Sequence, residues 1–178
     1  MRWDEIDHSV CSIARTMAVI GDRWTMLILR EAFLGTRRFD DFQIYLAAAP
    51  HIVSARLKKL VEHGLLEKRK YQDRPARFEY RLTEQGRDLY PAIVTLAQWG
   101  YKWLGDDSGP ALNRIHKTCG HRLTLVPTCA TCGEVVSIGD VKAELMPRFA
   151  AERQRAIETH RKPTTKKPKA ATAKKRKA

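Results

Sequence analysis

A mainly helical fold carrying one small β-wing is predicted by three features of this sequence. Apolar residues recur at helical spacing through most of residues 11–104. One stretch, Leu65–Tyr71 and Phe78–Leu82, reads instead as two short extended runs around a polar tip, Gln72, Asp73, Arg74, Pro75 and Ala76. Glycine or a capping residue punctuates each helical segment, so the links are short. Helices joined by short links and followed by a ribbon give the order of a winged helix-turn-helix domain. The expected organisation is an N-terminal arm (1–10), that domain with DNA-binding and dimerisation surfaces (11–104) and a linker (105–112). A zinc-ribbon-like, knuckle-bearing element (113–145), a short helix (146–158) and a disordered basic tail (159–178) complete it.

From Cys11 to Ile20, the positions Ile13, Met17 and Ile20 mark a first helix, with Ser9 or Ser12 as its cap and Gly21 as its stop. Asp22 caps a second, Arg23 to Leu34, whose buried side comes from Trp24, Leu27, Ile28 and Phe33. Gly35 and Thr36 break it. Arg37 and Arg38 precede a third helix from Phe39 to about Leu46, with Phe39, Phe42 and Leu46 facing inward; Ala47–Ala49 is the turn beyond it. In the fourth helix, Val53, Leu57, Leu60 and Val61 form the apolar stripe, opposite His51, Ala55, Lys58, Lys59 and Glu62. Pro50 suits its first turn and Gly64 its end. After the ribbon, Thr83 caps a longer helical segment in which Pro91 forces a kink or restart. Its broad apolar surface, Leu89, Ile93, Leu96, Trp103 and Leu104 widened by Tyr90, Val94 and Tyr101, predicts a second chain as partner.

The net charge of +13 points toward nucleic acid, but its distribution matters more than its size. Arg161 to the C-terminus holds nine Lys or Arg and no acid, which leaves 24 basic against 20 acidic residues elsewhere, a net of +4. The tail, rich in Lys, Ala, Thr and Pro, has too little apolar surface to fold alone and suits salt-sensitive attraction to phosphate or simple solubilisation. No secretory signal and no apolar run of roughly 20 residues is present, so the expectation is a cytoplasmic, nucleoid-associated protein with no membrane partner.

Three of the four cysteines lie between 119 and 132, where His116-x-x-Cys119-Gly120 and Cys129-x-x-Cys132-Gly133 repeat one knuckle. Four N/S donors on tight turns match tetrahedral structural zinc, with His116, Cys119, Cys129 and Cys132 as ligands and His121 as the alternative to His116. Reduced surface thiols or a Cys129–Cys132 disulfide are the plain alternatives. Cys11, at a helix start near Arg15, suits either a reactive thiolate or a buried structural role. A zinc enzyme is disfavoured, since the sequence has no HExxH, no HxE paired with PCxxC, and no carboxylate placed as a base.

The segments CSIARTMAVIGDRWTMLILREAFLGTRRFDDFQ, SARLKKLVEHGLLEKRKY, RFEYRLTEQGRDLYPAI and QWGYKWL resemble the HxlR family of bacterial transcriptional regulators, relatives of the MarR group, over roughly residues 9–104. The resemblance implies a homodimer on double-stranded DNA with an inverted-repeat operator, usually a repressor and sometimes an activator. It also implies that Cys11 occupies the position at which several members sense oxidants or electrophiles. His51 departs from the Asn or Ser common before the recognition helix. Under this reading His51, Ile52, Ser54, Ala55 and Lys58 are candidates for base edges, and Arg56, Lys59, Arg37, Arg38, Arg69, Arg74 and Arg77 for phosphates or the minor groove. The competing expectation is a nonspecific nucleoid protein whose tail dominates binding.

Overall fold

The computed structural model describes residues 3–161, so nearly all of the expected basic tail, from Lys162 to Ala178, lies outside the described residues. The stretch expected as an arm contains a 3-10 turn, Trp3–His8. It leads into α1 (Ser12–Ile20), whose cap residue is Cys11 rather than Ser9 or Ser12. The Ser9 hydroxyl instead accepts the Cys11 N–H at 3.1 Å while donating to Glu152, so it braces the helix entrance from outside. Of the three apolar positions expected to bury α1, only Ile20 does so; Ile13 is 70% exposed and Met17 36%.

Helix α2 (Arg23–Phe33) starts where local chemistry dictates. The Asp22 carboxylate accepts the Thr25 N–H at 3.0 Å and its hydroxyl as well, satisfying a first-turn donor that no helical carbonyl can reach. Ile28 and Leu29 are fully buried, with Trp24, Leu27 and Phe33 packed more shallowly around the same core. Glu31 is also buried; one of its oxygens accepts both Nε and Nη2 of Arg30, at 2.9 and 2.7 Å.

Helix α3 (Phe39–Leu46) buries Phe42 and Leu46 and ends at Ala47 in the left-handed region, φ 47°. Helix α4 (Pro50–Glu62) then sets Val53, Leu57 and Leu60 against α2 and α3, each with no exposed surface. Gly64, at φ 72°, turns the chain into β1 (Leu66–Gln72), which pairs antiparallel with β2 (Arg77–Leu82) from Leu66↔Leu82 out to Lys70↔Phe78. The strands differ slightly from the sequence reading: β1 starts and ends one residue later, and β2 takes in Arg77 while ending at Leu82 as expected. An isolated bridge joins the chain before α3 to the wing: Tyr80 N–H donates to Arg37 O at 2.8 Å, and Arg38 bridges Glu79.

The segment after the wing is two helices, α5 (Glu84–Arg87) and α6 (Tyr90–Leu104), with Pro91 in the first turn of the second, as its missing N–H requires. Thr83 caps α5 by accepting the Gly86 N–H at 3.0 Å and ties it to the start of the wing by donating to Gly64 O. Gly86 is needed there, since a Cβ would lie 2.1 Å from the Leu65 carbonyl oxygen.

Residues 105–146 run as turns around two isolated bridges, Ile115↔Arg122 and Thr128↔Val135, plus a 3-10 turn at Ile138–Asp140. Helix α7 (Pro147–Arg161) follows and extends slightly beyond the expected end. Gln98 on α6 holds this extension by exchanging two hydrogen bonds with the Leu125 backbone, at 2.7 and 3.0 Å. Among the described residues no helix is long and apolar enough to cross a membrane.

Asp22 also accepts Arg56 Nε at 2.9 Å, which joins α2 to α4. Burial raises its carboxyl pKa, but the Thr25 hydrogen bonds and the Arg56 charge outweigh this and leave it below the ordinary value. A carboxyl that binds its proton less readily when folded stabilises the protein above the unfolded pKa, and that contribution is lost as pH falls through the lower folded value. Asp22→Ala is therefore expected to cost about 1–2 kcal/mol in urea unfolding at neutral pH. The cost should shrink in acid, below the folded-state pKa of Asp22; a loss of equal size at both pH values would contradict this account.

Candidate nucleic-acid interface

The inner stripe of α4 is spent on the core, so its remaining face decides what the helix can touch. His51, Ser54, Ala55 and Lys58 are exposed and Ile52 half-buried. Lys58 meets Glu62 at 3.6 Å, one turn on, with both side chains largely in solvent, a contact weak enough to give way to a phosphate or base edge. The helix cap is Ala49, which has no side-chain oxygen, so no side chain caps the first turn beside His51. Uncapped N–H groups at a helix start are ready anion partners.

Two residues expected at phosphates turn inward instead. Arg56 is bound to Asp22, and Lys59 Nζ donates to the Ala18 carbonyl of α1 at 2.7 Å. Both project from the flank of α4 that abuts α1 and α2, and they hold the helix in place. Arg23 was missed by sequence reasoning: it is exposed at the first position of α2 and shares a shallow depression with Trp24, His51 and Ala55. The available signal was its position, immediately after a strong cap and hence at a helix N-terminus.

The wing sorts its cations by their partners. Arg69 is paired with Glu67 at 2.7 Å, Lys70 with Asp73 at 2.6 Å and Arg81 with Glu79 at 2.7 Å, while Lys68 lies 4.2 Å from the Phe78 ring centre. Arg74 and Arg77, at the tip, are exposed and have no carboxylate within ion-pair reach among the described residues. Arg38 stacks over Tyr71 at 5.2 Å, and both Arg37 and Arg38 are exposed alongside the wing. The arrangement is an exposed polar helix face flanked by cations at its entrance and on a projecting hairpin.

These features lead to a family. The model of the HxlR-like helix-turn-helix family matches residues 19–108, from the end of α1 to just past α6. The chain belongs to the HxlR-like helix-turn-helix family. The HTH-type transcriptional regulator Rv3095 of Mycobacterium tuberculosis, itself uncharacterised, is 44% identical over 141 residues, covering 79% of this chain and 89% of the relative. The crystal structure of PA1607, a candidate transcription factor, superposes with a TM-score of 0.72 at 34% identity, covering 79% of this chain and 98% of that one. A second candidate transcription factor, PA1374 of Pseudomonas aeruginosa, gives 0.56 at 33% identity, covering 82% and 99%. Matches this long must run past the HxlR-like domain into the extension. The protein is a transcriptional regulator of helix-turn-helix type, and the family is one of regulators rather than enzymes.

Outside the HxlR-like domain, the two knuckles form as matching turns. Gly120 N–H donates to His116 O and Gly133 N–H to Cys129 O, each at 2.8 Å, with both glycines at positive φ. In the first, His116 Nδ1 lies 3.3 Å from Cys119 Sγ; His121 offers its carbonyl to the His116 N–H at 2.9 Å. In the second, the backbone N–H groups of Cys132 and Thr131 and the Cys132 side chain hold the Cys129 thiol below its ordinary pKa. Each half thus has two donors suited to zinc. Among the described residues, no three His, Cys, Asp or Glu are gathered as a metal-holding group. Cys11 is half-buried at the start of α1.

Proposed function

We propose that the protein is a homodimeric repressor that reads an inverted-repeat operator, with α4 of each chain in a major groove and half-sites roughly 34–36 Å apart. The observation that carries this reading is the division of labour on α4 and the wing. His51, Ser54, Ala55 and Lys58 are exposed where bases would lie, and Arg74 and Arg77 have no acidic partner at the tip of a hairpin. Ile52 lies at the edge of the reading face; Arg23, Arg37 and Arg38 supply phosphate contacts. The dimer is supported by apolar surface that the described residues leave exposed: Ile13 and Met17 on α1, and Leu96, Trp99, Trp103 and Leu104 on α6. Genomic fragments selected by the purified protein supply the operator. Lys58→Ala should then weaken operator binding by about 1–3 kcal/mol and random duplex far less, whereas Arg77→Ala should weaken both alike and lower the salt slope by about 1. Equal loss from Lys58→Ala on both duplexes would remove it from base reading.

Cys11 is proposed as the sensing thiol, on the strength of its half-buried place at the entrance of a helix with an open apolar face. Oxidation of the thiolate by peroxide, or its addition to a quinone, changes the size and polarity of that entrance. Peroxide or quinone treatment is expected to lower operator affinity, and Cys11→Ser to abolish the response. A response that survives in the variant would move the sensing to Cys119, Cys129 and Cys132.

The knuckle pairs are proposed to hold one structural zinc through His116, Cys119, Cys129 and Cys132, with His121 as the competing nitrogen donor. The support is the donor chemistry and the matched turns; a closed four-ligand site requires the two turns to come together, which couples metal affinity to the folding of the extension. Protein purified without added zinc should carry about one zinc per chain, and Cys129→Ser should lose it. Metal-free wild-type protein would refute the site.

A further inference from the structure

Helix α7 is held to the rest of the molecule by very little. Of its 15 residues only Phe149 and Glu152 are half-buried, and the others are exposed. Among the described residues, the hydrogen bonds that join it to the domain are the two accepted by the Glu152 carboxylate. Its Oε1 takes the Ser9 hydroxyl at 2.6 Å and its Oε2 the Val10 N–H at 2.8 Å. We propose that α7 is a releasable lid on the entrance of α1, fastened by Glu152, and that it slows the attack of electrophiles on the Cys11 thiol. The lid deepens the reading of Cys11 as the sensing thiol, and its regulatory meaning rests on that reading.

The fastening lies at the cysteine. Ser9 is buried, so its hydroxyl depends on the partners that the fold provides. Those partners are Glu152, to which it donates, and Cys11, whose N–H it accepts at 3.1 Å. One chain of hydrogen bonds thus runs from the carboxylate on α7 through Ser9 to the backbone of the cysteine itself. The other oxygen of Glu152 grips Val10, the residue immediately before Cys11. Cys11 and Ile13 at the start of α1 border the same cleft as Met146 and Phe149, where the chain turns into α7. In this arrangement Cys11 is half-buried.

A hold that is directional but small is what separates a lid from a wall. Two hydrogen bonds to one charged carboxylate set where α7 sits. No residue of α7 belongs to the hydrophobic core, so its release leaves that core intact. Segments with few buried apolar contacts open locally without global unfolding. A thiol attacked mainly through the opened form then reacts at a rate set by the open fraction.

The test is the rate at which iodoacetamide alkylates Cys11 in the full chain, read by mass spectrometry of the tryptic peptide Trp3–Arg15. The peptide that carries Cys129 and Cys132 serves as internal standard. Neither DNA nor inducer is present, so the outcome is separate from that of the sensing reading. Glu152→Ala should speed alkylation of Cys11 by about fivefold or more, with the standard unchanged and amide hydrogen exchange in α7 faster. Ser9→Ala removes one of the two donors and leaves Glu152 in place, so it should act in the same direction by less; it decides the matter if Glu152→Ala fails to melt cooperatively. Unchanged alkylation of Cys11 in a variant whose α7 exchanges faster would overturn the lid. So would equal acceleration at Cys11 and at the standard, which reports general loosening, or α7 exchange that neither variant alters. A lid that passes these tests in a protein whose operator affinity ignores modification of Cys11 would refute the sensing reading alone.

Discussion

Asp22 sits where three helices meet, and the placement of α4 depends on it. Its carboxylate closes the N-terminus of α2 through Thr25 and receives Arg56 from α4, while Lys59, one turn further along α4, reaches back to the carbonyl of Ala18 at the end of α1. Apolar packing of Val53, Leu57 and Leu60 supplies most of the energy that holds α4 down, but packing alone tolerates small rotations about a helix axis. The directional bonds to Asp22 and Ala18 fix the rotation, and so fix which residues face outward. A shift of one position would exchange Ser54 or Ala55 for a neighbour that belongs to the core or its margin.

The exposed and buried apolar surfaces divide the molecule along α6. Ile93 and Val94 on one side close the core and the wall under the extension, held by Gln98 at Leu125. Leu96, Trp99 and Trp103 on the other side are left exposed by the described residues. One helix therefore links three environments: the packed domain, the extension, and a surface whose exposure in water is unfavourable.

Where a rule of local chemistry operates, the sequence was readable. Asp22 before Arg23, Pro91 near the start of α6 and Gly64 after α4 each act within a few residues, and the structure places them accordingly. The face of a helix is harder to read, because it depends on what arrives from elsewhere. Arg56 and Lys59 look like surface cations until α1 and α2 are seen beside them. Ile13 and Met17 look like core by spacing, yet the described residues leave them exposed. The wing's ion pairs are local, spanning two or three residues each, but the sequence offers Glu79 equally to Arg77 and Arg81, and only the structure gives it to Arg81. The knuckle spacing was plain, but spacing within each turn says nothing about the distance between the two turns.

Glu152 gives the two ends of the described chain a shared fate. Its carboxylate takes the Ser9 hydroxyl at 2.6 Å and the Val10 N–H at 2.8 Å, a contact between residues 143 and 142 positions apart. In an unfolded chain, closing so long a loop would carry a large entropic cost; with α6 and Gln98 already holding the extension in place, much of that cost has been met before α7 docks. Whatever strengthens the hold of α7 then strengthens the entrance to α1 by the same free energy, and whatever loosens that entrance loosens α7 in return. The segment beside Cys11 and the far end of the extension thus behave as one thermodynamic unit, although the chain between them passes through the whole domain.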